Sequence, residues 1–305
     1  MKKVLILGSS GYIGSYLVNG LKNKHKVIAH SRKKIVNKDF NKGIFKKIHG
    51  DIRNKSTLKK IIKSKPECII YTISSNHFES EKNINTSIKN NFNPLKNLTN
   101  LLIRKKIYTK IIYFSTMQVY GRDYKKKLID EKHKKKINNI YSLTHSMCED
   151  LLLKLNSKLK SHSLRLSNSY GMPVLKNINC WWLVLNDLCR SAKKNGKIII
   201  KSDGTALRDF IALEDILKIV NKLIIKSISP PILNVCSGKT FSIKEIAMKI
   251  SKNPYFKKKI PIKILKKKNN FKIKKFKYDT KLIKKIGLKS FVNIDIQIKK
   301  FLNEI

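Results

Sequence analysis

Residues 4–14 read Val4-Leu5-Ile6-Leu7-Gly8-Ser9-Ser10-Gly11-Tyr12-Ile13-Gly14, and this stretch decides the fold. Four apolar residues in a row suit a strand buried on both faces. From Tyr12 the apolar spacing changes to Tyr12, Ile13, Tyr16, Leu17 and Leu21, the period of a helix. Strand, glycine turn and helix therefore follow one another with no spare residue. Gly8 allows the tight turn, and Gly11 lets a pyrophosphate approach the backbone. Gly14 lets the helix pack close to the strand, with its positive N-terminus facing the phosphates. The spacing is Gly-x-x-Gly-x-x-Gly, not the Gly-x-Gly-x-x-Gly of the commonest dinucleotide fingerprint.

Working outward, short apolar runs alternate with helical patterns. Strands are expected at 2–7, 26–30, 44–48, 67–73, 110–115 and 162–167, with helices at 12–23, 55–64, 84–106 and 139–160. The asparagine-rich stretch 83–93 and the polar segment 122–138 read as loops. This rhythm predicts an α/β fold, a doubly wound parallel Rossmann sheet covered by helices on both faces. Beyond about residue 168 the rhythm loosens into a helix (181–195), a strand (197–201), a helix (213–226), a strand (232–236), a helix (242–252) and a lysine-dense tail. The expected division is a NAD(P)-binding domain over 1–168 and a smaller C-terminal lobe, mainly substrate-binding, over 169–305. Strands within about 204–237 are expected to return to the sheet.

The formal charge of +49 looks at first like that of a nucleic-acid binder. Its make-up argues otherwise. Of 68 basic residues only 7 are arginine, and the 61 lysines are spread from Lys2 to Lys300 among abundant isoleucine and asparagine. A nucleic-acid site concentrates arginine and aromatics on one face. The excess reads as a coding bias expressed on solvated surfaces, so lysine carries little information here and arginine carries more. The five cysteines form no C-x-x-C pair and read as buried, reduced thiols, not as a metal site. The opening apolar run stops at Gly8, too short for a signal peptide, and no stretch reaches the length of a membrane span. A cytoplasmic protein is expected.

Several motifs then point one way. The second strand ends Ile28-Ala29-His30-Ser31-Arg32, and the third closes in Gly50-Asp51-Ile52. The strand 110–115 opens into YFSTMQVYG, and 25 residues after Thr116 comes Tyr141, followed by Ser142-Leu143-Thr144-His145. LRLSNSYG occupies 164–171 and SDGTALRDFIALEDI occupies 202–216. Together with the glycine turn this set resembles the extended short-chain dehydrogenase/reductase family, the NAD-dependent epimerases and dehydratases of nucleotide-linked sugars. The resemblance runs from residue 3 to about 302.

The resemblance implies a role for each matching position. Gly8, Gly11, Tyr12, Ile13 and Gly14 would hold the dinucleotide, with Asp51 and Ile52 at its adenine. A helix N-cap is the plainer alternative for Asp51. An acidic residue at the end of the second strand marks selectivity for NAD. Ser31 and Arg32 stand there instead and can accept a 2′-phosphate, which favours NADP over NAD. Thr116 and Tyr141 match the family's hydroxyl and catalytic tyrosine, a phenol that passes a proton to or from a sugar hydroxyl. Asn168 and Arg208 would grip the phosphates of a nucleotide-sugar substrate, beside Thr116 and Gln118. An ion pair with Asp209 or Asp215 is the alternative for Arg208.

One departure stands out. The family's Tyr-x-x-x-Lys is here Tyr-x-x-x-His, with His145 one helical turn beyond Tyr141 on the same face. Histidine is mostly neutral at pH 7, so it supports a phenolate less than lysine, yet it can still donate a hydrogen bond to a ribose hydroxyl of the cofactor. Either His145 serves a working site, or the site is slowed or lost. Met117 and Gln118 cannot do the acid–base work of a 4,6-dehydratase, which carries Asp-Glu at those positions. The expectation is an NAD(P)-dependent nucleotide-sugar epimerase or 4-ketoreductase. The alternative is a catalytically weakened dinucleotide-binding relative acting through a partner such as RNA. A homodimer is expected, because the helices at 84–106 and 139–160 have the length and apolar content to pair across a two-fold axis, as in the family's dimers.

Overall fold

The computed structural model describes residues 1–121, 128–226, 230–265, 275–288 and 290–305. Its centre is a seven-stranded parallel sheet of β1 (Lys3–Leu7), β2 (Lys26–Ser31), β3 (Lys46–His49), β4 (Cys68–Tyr71), β5 (Lys110–Thr116), β6 (Ser161–Leu166) and β7 (Ile232–Val235). The strand order is β7-β6-β5-β4-β1-β2-β3. The chain steps outward from β1 to β2 and β3, then crosses back to β4 on the other side. The crevice beyond the ends of β1 and β4 is thus a topological switch point, where ligands of open α/β sheets bind.

Alternation along each strand divides the core in two. Val4 and Ile6 of β1, with Val27, Ile70 and Ile112, pack under the helices Tyr12–Leu21 and Leu213–Ile225. Leu5 and Leu7, with Ile28, Ile69 and Ile111, pack under Lys55–Lys63, Asn93–Arg104 and Ile140–Lys154. With both faces covered, the strands read as continuous apolar runs instead of alternating ones. A third core, built on Leu185, Phe210, Ile246 and Phe301, belongs to the C-terminal half. It lies among the helices Val184–Asn195, Ile243–Ser251 and Ile294–Glu304 and the short strands Ile198–Ile200 and Leu207–Ala212. This is the smaller C-terminal lobe. Strand β7 rejoins the main sheet beside β6.

Two expectations need correction. The asparagine-rich stretch is not a loop, and 84–106 is not one helix. Asn76 caps His77–Lys82, Asn83 caps Ile84–Ser87, and a π-helical turn over Ile88–Phe92 leads into Asn93–Arg104. Asparagine side chains that would compete with a helix interior here accept from the N–H groups left open at helix starts. The lysine-dense tail also contains order, in Lys281–Ile286 and Ile294–Glu304. Part of the expected loop 122–138, residues 122–127, lies outside the described residues. Among those described, no helix is long and apolar enough to cross a membrane.

Candidate active site

At the switch point Gly8 takes φ +89°, and the N–H groups of Gly8 and Ser9 donate to the His30 carbonyl at 3.2 and 2.9 Å. A Cβ on Gly14 would lie 2.1 Å from the Gly8 carbonyl oxygen, and one on Gly11 3.3 Å from it. The turn is therefore folded back against the first turn of Tyr12–Leu21. No side chain caps that helix and no acidic residue stands in its first turn, so its amide end is left for an anion.

Beside the turn lies a cavity of about 500 Å³, lined among others by Gly8, Gly11, Ser31, Arg32, Asp51 and Ile52. It brings together six positions read from the sequence as cofactor contacts. Ser31 is buried and donates its hydroxyl to the Lys33 carbonyl at 2.6 Å, while Arg32 is exposed. Asp51 is gripped by Arg53, whose Nη2 and Nε reach its Oδ2 at 2.6 and 3.1 Å, and these hydrogen bonds hold the carboxyl below its ordinary range. It is not the cap of the next helix, where Asn54 occupies that position. Tyr12, Ile13 and Gly14 follow directly on Gly11 in the chain and do not line the cavity. The Tyr12 hydroxyl donates to the Gly171 carbonyl at 2.6 Å and accepts from Asn186 at 3.2 Å, tying the glycine helix to the C-terminal lobe.

The second group of residues is assembled by Ile140–Lys154, which Asn139 caps through the Ser142 N–H at 2.7 Å. The ring of Tyr141 meets the ring of His145 edge to face, with centroids 4.5 Å apart. Burial pushes the Tyr141 phenol up to about 12 and His145 down to about 4, so the imidazole is neutral at physiological pH. His145 Nδ1 lies 2.7 Å from the Tyr113 hydroxyl, and Nε2 lies 3.3 Å from Ser74 Oγ. Ser74 also lines the cavity, so it joins the two groups. Above Tyr141 sits His77–Lys82: the His77 ring is edge-on at 6.0 Å, and Glu81 accepts from the Tyr141 N–H at 3.1 Å. Phe78 of the same helix meets Trp182 of the C-terminal lobe at 6.4 Å.

Thr116 is buried and accepts from the Gln118 N–H at 3.2 Å, while the exposed Gln118 side chain accepts from Asn139 at 3.3 Å. Asn168 donates to the Asp209 carbonyl at 2.9 Å. The carboxylates weighed as partners of Arg208 have other donors. Asp209 accepts from the hydroxyls of Ser167 and Ser237 at 2.7 and 3.0 Å, and Asp215 from the Val292 N–H at 3.1 Å.

Three further residues were not singled out in the sequence. Asn91, in the π-helical turn, accepts from the Ser75 N–H at 2.7 Å and donates to Thr144 at 3.1 Å. It clamps the cavity loop to the helix of Tyr141, and π turns recur at functional sites. In an asparagine-rich chain nothing marks it out. Glu149 and Arg165 form a buried pair at 2.7 Å that also takes in Ser115, Lys135 and Tyr120. Burial opposes the Glu149 charge most strongly, yet the hydrogen bonds and charge of Arg165, with Ser115 and Lys135, together outweigh it and hold the carboxyl below its ordinary range. This fixes the helix of Tyr141 against β5 and β6.

A nucleotide fold with a tyrosine helix beside the cavity has counterparts among known proteins. Residues 4–236 match the model of the NAD dependent epimerase/dehydratase family. The chain belongs to this family. It is 26% identical to an ADP-L-glycero-D-manno-heptose-6-epimerase of Brachyspira hyodysenteriae, across 98% of this chain and 96% of that one. It is also 26% identical to a GDP-6-deoxy-D-talose 4-dehydrogenase of Aggregatibacter actinomycetemcomitans, across 80% of this chain and 77% of that one. The structure of a UDP-glucose 4-epimerase with UDP-glucose, from Thermotoga maritima, superposes with a TM-score of 0.84 at 18% identity, covering 98% of this chain and 97% of that one. That likeness is one of fold: the same Rossmann sheet with a C-terminal lobe. The family's members use NAD, and the relatives act on nucleotide sugars.

Proposed function

We propose that this protein is an NAD(P)-dependent nucleotide-sugar epimerase or 4-ketoreductase with Tyr141 as proton carrier. The observation that carries the reading is the junction at Ser74, where the wall of the dinucleotide-sized cavity meets the Tyr141–His145 pair. The cavity suits a dinucleotide on its own geometry. Gly8 and Gly14, with no room for a Cβ, let the turn fold tightly against the helix start, and the uncapped helix end at Gly11 faces the cavity. Gly8, Gly11 and the first turn of Tyr12–Leu21 would hold the pyrophosphate, and Asp51 with Ile52 the adenine. The chemistry such a dinucleotide supplies when bound is hydride exchange at a carbon. Tyr141 would move the proton of the sugar hydroxyl, with Thr116 as hydrogen-bond partner, while His145 orients the phenol and the ribose side of the cavity. Asn168 and Arg208 would bind the substrate phosphates. Met117 and Gln118 offer no acid–base group, which argues against dehydration. Turnover of purified protein on UDP-, dTDP-, GDP-, CDP- and ADP-sugars with each cofactor tests the reading. Activity on none of them, from folded protein that binds the dinucleotide, would favour the weakened relative.

The finer cofactor choice rests on Ser31 and Arg32. With no acid at the end of β2 and a guanidinium exposed on the cavity rim, NADP(H) should bind more tightly than NAD(H). A charge-assisted contact of this kind amounts to about ten-fold or more in affinity. Calorimetric titration of both cofactors should show the difference in wild type and its disappearance in Arg32→Ala. Equal affinities in both proteins would remove the argument.

We assign residues 1–168 to the cofactor domain and 169–305 mainly to the substrate lobe, a division supported by the separate core around Phe210 and Phe301. We also infer a homodimer through Asn93–Arg104 and Ile140–Lys154, the latter carrying the exposed Leu153. Light scattering at about 0.3 M salt, where the lysine charge is screened, should give twice the 35.3 kDa of one chain. A single-chain mass alone would retire the dimer.

A further inference from the structure

The hydrogen bonds around His145 favour one of its ring nitrogens as the carrier of the proton. Ser74 has one hydroxyl hydrogen, and it is donated to the Ser75 carbonyl at 2.8 Å. With that hydrogen so placed, Ser74 Oγ is left as an acceptor 3.3 Å from His145 Nε2, which favours Nε2 as the protonated nitrogen. A neutral imidazole then has a lone pair on Nδ1, and the Tyr113 hydroxyl, 2.7 Å away, is its donor. The hydrogen bonds thus run in one direction, from Tyr113 on β5 through His145 to Ser74 on the cavity wall. Tyr113 is 2% exposed and burial raises its phenol well above the ordinary range, so it stays a donor. Its other polar neighbour, Cys148, directs its thiol to the Asn91 carbonyl at 3.5 Å.

We propose that Tyr113 is a positioning residue that fixes His145 as the Nε2–H tautomer, presenting a neutral N–H donor towards the cofactor cavity. The proposal rests on the reading of Tyr141 and His145 as the reaction centre, because only there does the tautomer matter to function. Without the Tyr113 hydroxyl, Nδ1 loses the donor that faces it, and the ring loses its reason to prefer one tautomer. An Nδ1–H ring would turn a lone pair towards Ser74 and the cavity, opposing a ribose hydroxyl that needs a donor.

Selective ¹⁵N-histidine labelling of the full chain, with the His145 signals assigned by their loss in His145→Gln, reads the tautomer directly. Wild type should show a single Nε2–H tautomer between about pH 6 and 8. Tyr113→Phe, which keeps the ring in the core, should give mixed or inverted tautomers and weaken NADP(H) binding about two- to ten-fold, the size of one hydrogen bond. If Tyr113→Phe fails to fold, Tyr113→Met, a flexible apolar side chain that also lacks the hydroxyl, should loosen the same preference. A wild-type Nδ1–H ring overturns the proposal, as does an unchanged His145 spectrum in the folded Tyr113→Phe protein or, failing that, in Tyr113→Met. The spectra do not depend on turnover, so loss of the tautomer assignment and loss of the enzymatic reading are separate results.

Discussion

Tyr141→Phe should lower turnover on a verified nucleotide sugar by at least about 100-fold, roughly 2.7 kcal/mol of transition-state stabilisation. The ring stays, so its edge contact with His145 stays and only the hydroxyl is lost. The pH profile carries a second signature. Burial pushes the phenol up to about 12, and the neighbour that could lower it is an imidazole pushed down to about 4 and hence uncharged. To remove a proton the phenol must be ionised. Its base form is therefore scarce at pH 7 and grows about ten-fold per pH unit, so the rate of sugar oxidation should still climb above pH 8. His145→Lys should add a cation one turn along the helix and shift the optimum downward. His145→Ala should weaken both turnover and cofactor binding. An unchanged rate in Tyr141→Phe would place the proton carrier elsewhere, whatever the fold.

Gly14→Ala should be the most damaging single methyl in the chain. The new Cβ would meet the Gly8 carbonyl oxygen at 2.1 Å and the Gly8 carbonyl carbon at 2.8 Å, both rigid backbone atoms at a turn with φ +89°. Either β1 and its helix separate or the turn rebuilds. The cost should be about 3 kcal/mol or more in unfolding free energy, with loss of dinucleotide binding. Gly11→Ala is the control for stability alone, since its Cβ would stop 3.3 Å from the same oxygen, a contact that a shift of a few tenths of an ångström relieves. Urea unfolding followed by tryptophan fluorescence, with cofactor titration of whatever folds, measures both. Wild-type stability and affinity in Gly14→Ala would show that close packing is not why glycine stands there.

Much of the fold was legible because its signals are local. A buried parallel strand announces itself as an unbroken apolar run, as in Val4–Leu7, and the following helix shows in the spacing of Leu17 and Leu21. The sheet strands from β1 to β7 fall within a few residues of their expected places for that reason. The short strands Asn168–Tyr170 and Thr240–Ser242 were not legible, since three residues carry no period. Capping asparagines looked like loop formers because one side chain serves both ends.

The sequence by itself determined the glycine turn, the alternation of strands and helices and the Tyr141–His145 register. Each depends on residues fewer than about 20 apart on one strand, turn or helix, where backbone geometry alone sets who can meet. Only the tertiary structure decided what surrounds that pair. Tyr113 reads as an ordinary strand residue until the crossover to Ile140–Lys154 lays His145 on it. Ser74 and Asn91 sit in polar, asparagine-rich surroundings that hide them until β4 and the π-helical turn bring them to the same helix. The protonation of His145 is likewise a tertiary property. It follows from burial and from which neighbour has a hydrogen left to donate, and neither is written in the spacing of Tyr-x-x-x-His.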